Sequence, residues 1–293
     1  AHKGIALAFR RTYNSFSQHD NHGSDASIPS NYGNGWTNTF DAHLAYNATS
    51  NVMTVWDIDG TRYDYTSDGH GHWVHPAGQF GALTLDGSGF YAWTKKTGTV
   101  YRFFTPTEPG SMAGFDGRLY QIMARNRYIT LTFSYYWDSP GSSSASNLNK
   151  IIVTAEDGEK ATLHFANFNN IRELSSLSWP DGTQVTYGYD ASGNLTQVTG
   201  PGNNVASTLT EQYSYTPGTH YLAWVKNPRQ VINAADGAVY NFGYNASNQL
   251  SWVQYNAVVA PQFSDGSGTG YPGPAGLIVV RTNNFAYTAT TTT

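Results

Sequence analysis

The chain has 293 residues, no cysteine, 12% charged residues and a formal net charge of −4, with 8 Trp, 21 Tyr and 14 Phe. An ordinary domain carries about 25% charged residues, and the 16 Lys and Arg are too scattered here to form a phosphate-binding patch, which argues against nucleic acid as a partner. Zero cysteines excludes disulfide staples, thiolate zinc sites and cysteine nucleophiles, and no apolar run reaches the ~20 residues of a membrane span.

From the N-terminus, Phe9-Arg10-Arg11-Thr12-Tyr13-Asn14-Ser15 is followed by Gly33-Asn34-Gly35-Trp36, Phe40 and Asp41. Alternation of period two then begins and persists almost to the end, in β-branched and aromatic residues. Thr99-Val100-Tyr101-Arg102-Phe103, Ile129 through Tyr135 and Gln184 through Tyr189 are the clearest runs. Asp-Gly pairs punctuate them at residues 59–60, 86–87, 116–117, 157–158, 181–182 and 236–237. Asp-Gly suits the positive φ angles of two-residue hairpin turns, so each pair predicts a tight hairpin. The one stretch with room for a helical turn is Phe168 to Ser178; nothing sustains helical spacing for longer. The chain reads as all-β.

The hairpins repeat. The unit Asp181-Gly182 … Tyr187, Tyr189-Asp190, Gly193, Leu195, Val198 matches Asp236-Gly237 … Phe242, Tyr244-Asn245, Asn248, Leu250, Val253 almost position for position, with Tyr240 on the same strand. Weaker copies occur at Tyr213 to Val225, Asp59 to Tyr65 and Gly158 to Phe165. Units of about two dozen residues imply stacked supersecondary elements, each unable to bury its own face alone. Residues 261–276 form a Gly/Pro-rich linker. A strong β segment follows, Leu277, Val279, Phe285 and Tyr287 among its apolar positions, and then a threonine tail. That segment either pairs with its own sheet or adds to the sheet of a neighbouring molecule.

Tyr189-Asp190-Ala191-Ser192-Gly193-Asn194-Leu195 resembles the core of the YD-repeat, or Rhs, family shared by bacterial toxin shells and teneurins, and the motifs at residues 9–15 and 33–41 resemble its N-terminal region. The resemblance spans roughly residues 5–255. It implies stacked antiparallel β-hairpin (YD) repeats forming a long, curled or spiralling sheet. The expected organisation is an Rhs-like N-terminal region at 1–58, a YD-repeat sheet at 59–260, the linker at 261–276, and the terminal strand and tail at 277–293. These are fewer repeats than a closed shell uses, with no Asp-Pro-rich self-cleaving plug and no toxin segment.

Few residues point to chemistry. His70, His72 and His75 are the one metal-like spacing, with 70 and 72 on the same side of a strand; loop histidines are the plainer reading. Asp57-Ile58-Asp59-Gly60 lacks the spacing and the closing Glu of a calcium loop and reads as a turn. The glutamates, Glu108, Glu156, Glu159, Glu173 and Glu211, do not pair as a glycosidase requires. No cofactor is implied. Tyr63, Tyr65, Tyr187, Tyr189, Tyr240, Phe242 and Tyr244 recur at repeat positions and read as structural ladders. Asn47, Asn194 and Asn245 head glycosylation sequons, two of them in equivalent turns. The expectation is a non-enzymatic, secreted or surface-displayed bacterial protein. It would assemble with copies of itself into an extracellular filament or layer by strand addition; the alternatives are a fragment or short relative of an Rhs toxin-encapsulating shell, with an enclosed polypeptide as partner, and a carbohydrate-binding adhesin, with glycans.

Overall fold

The computed structural model describes residues 5, 7–15, 31–106, 117–138, 147–202, 207–228, 231, 238–258 and 277–285, with the backbone alone for 257–258 and 277–280. These residues are almost entirely strand and turn, and none lies in a helix long and apolar enough to cross a membrane. They fall into two compact units, residues 1–195 and 196–293.

In the first unit β1 (Arg11–Tyr13) and β2 (Trp36–Asn38) form a separate two-stranded ribbon. The main sheet runs in chain order through β3 (His43–Asn47), β4 (Val52–Trp56), β5 (Arg62–Ser67), β6 (Trp73–Val74), β7 (Ala82–Leu85), β8 (Tyr91–Thr94), β9 (Val100–Phe103) and β10 (Leu119–Met123). It continues through β11 (Thr130–Trp137), β12 (Leu148–Ala155), β13 (Lys160–Phe168), β14 (Ile171–Ser178) and β15 (Gln184–Tyr189). Every pairing is antiparallel. The second unit, which takes all of β16 (Leu195–Pro201) but its first residue, does the same with β17 (Thr208–Tyr215), β18 (Leu222–Lys226), β19 (Tyr240–Tyr244), β20 (Leu250–Val258) and β21 (Leu277–Asn284). The expected class, all-β stacked antiparallel hairpins, is the one observed.

Alternation decides which face is buried. Along β11, Leu131, Phe133 and Tyr135 are buried while Ser134 and Tyr136 are exposed. Tyr135 pairs across with Ile151, which pairs with Leu163, which pairs with Leu177, so a row of apolar side chains lines one face of four consecutive strands. The sheet of this unit curls toward that face. At its far end the Leu44 N–H donates to the Gly117 carbonyl at 2.9 Å, and His43 bridges Arg118. Two backbone contacts without a ladder bend the sheet back on itself without closing a barrel.

The residues flanking the ribbon pack on the buried face of the sheet. Phe9 lies 5.6 Å from Tyr32, 5.7 Å from Phe40 and 6.3 Å from Tyr187, while Phe40 meets Phe133 at 5.7 Å. Such offset and edge-on ring pairs contribute about 0.5–1.5 kcal/mol each beyond their buried area. Tyr32, Trp36 and Phe40 are all buried.

Two expectations about turns are corrected. The predicted two-residue Asp-Gly turns are instead loops of three residues. The Asp57 N–H donates to the Thr61 carbonyl and the Gly60 N–H to the Asp57 carbonyl, and the same pair of bonds recurs at 86–90, 95–99, 155–159, 179–183, 190–194 and 245–249. A type I turn followed by one left-handed residue closes such a hairpin, so only the last loop position demands positive φ. Gly60, Gly158, Gly182 and Gly193 fill it, and Asn248 in the last copy (φ 61). The pairs at 116–117 and 236–237 lie partly or wholly outside the described residues. The helical turn expected over Phe168–Ser178 is a hairpin joining β13 to β14. Asn169 and Asn170, at φ 49 and 69, form the two-residue turn, because asparagine tolerates the left-handed region.

Candidate functional site

The repeat-defining residues explain themselves in the second half of the first unit. Asp190 accepts the Ser192 and Asn194 N–H groups through Oδ1 and the Asn194 side-chain amide through Oδ2, at 2.8–2.9 Å. Its carboxylate thus satisfies the donors of the loop it opens. Asn245 does the same for Ser247 and Gln249 in the equivalent loop. The Tyr189 hydroxyl donates to the Leu174 carbonyl at 2.9 Å and its counterpart Tyr244 to the Leu222 carbonyl at 3.2 Å, each an aromatic body in the sheet with a polar tip on a neighbouring strand. Leu195 is fully buried, whereas Leu250, its equivalent, is half-buried.

That difference marks the candidate surface. In the first unit the N-terminal segment covers the repeat. Asn31 accepts the Leu174 N–H at 2.7 Å, the Asn34 N–H donates to Gly193 at 3.1 Å, and the Asn34 side chain donates to Ser192 at 2.7 Å. Gly33 (φ +88) sits so close that a Cβ there would lie 3.1 Å from the Leu195 nitrogen. Beneath it, burial raises the Tyr187 phenol to about 12 and pushes the Glu173 carboxyl up to about 8, with Asp41 adding to the shift and the Gly33 N–H opposing it. In the second unit the described residues of the same sheet face are half exposed. Tyr240 and Tyr255 pair at 5.3 Å while remaining 42% and 37% exposed, Phe242 follows at 6.4 Å from Tyr240, and Tyr221 packs on Tyr244 at 4.9 Å.

The terminal strand pairs with its own chain. β21 lies antiparallel on β20, Leu277 opposite Val258 and Val279 opposite Asn256. Residues 281–285 are exposed, Phe285 at 44%. Tyr287, the linker and the threonine tail lie outside the described residues.

The three histidines do not converge. His70 follows a turn in which Asp68 accepts the His70 and His72 N–H groups, bonds that hold its carboxyl below the usual range. The His72 ring bonds Asp68 at 2.9 Å and His75 the Pro76 carbonyl. Strand β6 starts only at Trp73, so 70 and 72 do not share a strand face as expected. Among the described residues no three His, Asp or Glu side chains gather as a metal site. Asp57 is a turn residue with a further role that its sequence did not signal. Its carboxylate pairs with Lys95 at 2.6 Å, and the ammonium lies 4.9 Å from the Trp93 ring and 5.0 Å from the Tyr101 ring. Of the sequon asparagines, Asn47 is exposed and Asn245 half-buried, but Asn194 is 2% exposed with its amide bound to Asp190. The folded chain therefore withholds Asn194.

The family model described as RHS Repeat matches residues 174–205, the stretch holding the loop at 190–194. No curated protein matches the chain. Among solved structures it is similar to a chain of the Tc holotoxin pore of Photorhabdus luminescens, with 13% identity, 75% of this chain and 14% of that chain covered, and a TM-score of 0.25. It is also similar to a crystal structure of TcdB2-TccC3, with 10% identity, 98% and 18% covered, and a TM-score of 0.29. The chain thus spans less than a fifth of the length of either.

Proposed function

We propose that this chain, which carries the YD repeat of the Rhs family, is a non-enzymatic structural protein of a bacterial surface or the extracellular space, extended by strand addition to copies of itself. The observation behind this reading is the C-terminal edge of the β20–β21 ladder, where residues 281–285 are exposed. Backbone N–H and C=O groups along such an edge recruit a further strand. Deleting residues 277–293 should abolish particles or filaments seen by electron microscopy and light scattering. Hydrogen-exchange protection of β11–β15 should survive the deletion. Assembly that persists in the truncated chain, or a full chain that stays monomeric, would overturn the reading.

A second reading is favoured by the half-exposed aromatic face of Tyr240, Phe242 and Tyr255. Where the first unit lays its own N-terminal segment on the repeat, another polypeptide would lie on the half-exposed face of the second, as on a shell wall. A co-purifying polypeptide lost on changing Tyr240 and Tyr255 to Ser, with the hairpins intact, would select this reading over strand addition.

A further inference from the structure

We propose that residues 31–41 are a proton-controlled latch on the concave face of the first unit, shut while the Glu173 carboxyl keeps its proton and loosened when that proton leaves. The proposal stands independently of strand addition. Its starting point is geometric: Glu173 is 4% exposed, and among the described residues the Gly33 N–H at 3.1 Å is the one hydrogen-bond partner of its carboxyl group. A carboxylate offers about four acceptor sites, and a buried charge with one neutral donor and no counter-ion is far costlier than its neutral form.

The charged groups around it supply no relief. From the latch comes Asp41, a second carboxylate, which shares a cavity of about 30 Å³ with Arg118. On its own strand the neighbouring Arg172 points to Asp138 and the Leu148 carbonyl. On the adjoining loop both oxygens of Asp190 are taken by Ser192 and Asn194. On the ribbon Arg11 acts on Tyr187. Glu173 therefore stays protonated in the closed form, burial holding its carboxyl at about 8 against an ordinary 4.5.

The latch is held to the sheet by fewer backbone bonds than its strands are to one another. Glu173 sits on β14, fixed by ladders to β13 and β15, whereas residues 31–34 meet the sheet and its loop through hydrogen bonds at Asn31, Gly33 and Asn34, with the Tyr32 ring packed between Phe9 and Tyr187. Lifting them hydrates Glu173 and uncovers Leu195 and Tyr187. Because the open form binds the proton less tightly, opening grows as pH rises from about 4.5 and levels off above about 8. The opening equilibrium increases about 50-fold between pH 6 and pH 8.

Hydrogen exchange on the full chain tests this at pH 6, 7, 8 and 9, with intrinsic rates corrected and residues 151–153 as the reference. Protection at Gly33, Asn34 and Trp36 should fall about 50-fold between pH 6 and 8 relative to the reference, and Glu173→Gln should hold it constant. An unchanged wild type, or the same slope in Glu173→Gln, overturns the proposal. Should Glu173→Gln fail to fold, Asp41→Asn decides. With one carboxylate removed the levelling-off moves to lower pH and the pH 6–8 change shrinks, whereas a slope equal to the wild type overturns the latch.

Discussion

Leu195 and Leu250 occupy the same place in two copies of one repeat, so truncating each to Ala isolates what the N-terminal segment adds. Leu195 is fully buried, and Gly33 stands against its backbone closely enough that a Cβ would sit 3.2 Å from the Leu195 Cβ. A site pinned from above by backbone cannot collapse when atoms are removed. Leu195→Ala should therefore cost about 3–4 kcal/mol, inside the range of about 2–5 for buried Leu→Ala changes. Leu250 is half-buried beside a half-exposed aromatic face. Its truncation loses part of the transfer free energy and leaves no sealed cavity, about 1 kcal/mol. The difference of about 2–3 kcal/mol is roughly a thirty- to 150-fold difference in local opening. Native-state hydrogen exchange on β14–β15 for the first variant and β19–β20 for the second reads each cost separately. Equal losses at the two sites would refute the claim that the N-terminal segment completes one repeat's core and not the other's.

Glu173 makes the first unit's stability depend on pH. Its folded value, about 8, exceeds the ordinary 4.5, so the stability it contributes is complete below pH 4.5 and is lost as pH rises to about 8. Glu173→Gln should raise stability at pH 7 by up to about 3 kcal/mol and flatten the profile in urea titrations at pH 5.5 and 8.5; a variant no more stable at pH 8.5 contradicts this. Lys95→Met strands the buried Asp57 carboxylate and should cost about 2–3 kcal/mol, the Lys95 side chain being 24% exposed. Adding Asp57→Asn should recover more than about 1 kcal/mol of that loss, and a double variant that loses the sum of the single changes refutes the coupling. Gly182→Ala incurs only left-handed strain, about 1 kcal/mol. Gly193→Ala adds contacts at 3.1 Å with Ile171 and 3.3 Å with Asn34, and should cost about twice as much in the same titration.

The strands were legible because alternation is a local signal: the buried set Leu131, Phe133 and Tyr135 is the sequence pattern itself. The loops were half legible. Glycine marks where the backbone turns left-handed, but Asp-Gly looks the same whether it fills a two-residue turn or the last two places of a three-residue loop. Only the bonds from residues 57 to 61 and their repeats distinguish the two. Asn169-Asn170 held the signal that was missed, two residues tolerant of positive φ between two alternating runs. His70 and His72 looked strand-like because the turn at Asp68 extends further than the Asp-Gly pair suggests.

Glu173 shows why the remainder was out of reach. On β14 it is flanked by Arg172 and Leu174, and the pairing with β13 shifts register between His164 and Phe165, so Glu173 and Leu174 are both buried where strict alternation would expose one of them. The group that covers Glu173 is Gly33, 140 residues earlier. No window along the chain relates those positions, because their contact depends on the curl that brings Gly117 back to Leu44 and on the residues flanking the ribbon, which pack on the buried face of the sheet. A repeat sequence encodes identical hairpins, and what separates one copy from another is whatever lies on its face. In the copy at 181–198 the chain supplies that cover itself, converting a surface Leu into core and a glutamate into a buried acid. In the copy at 236–253 the aromatic face stays half exposed, and there function has room to reside.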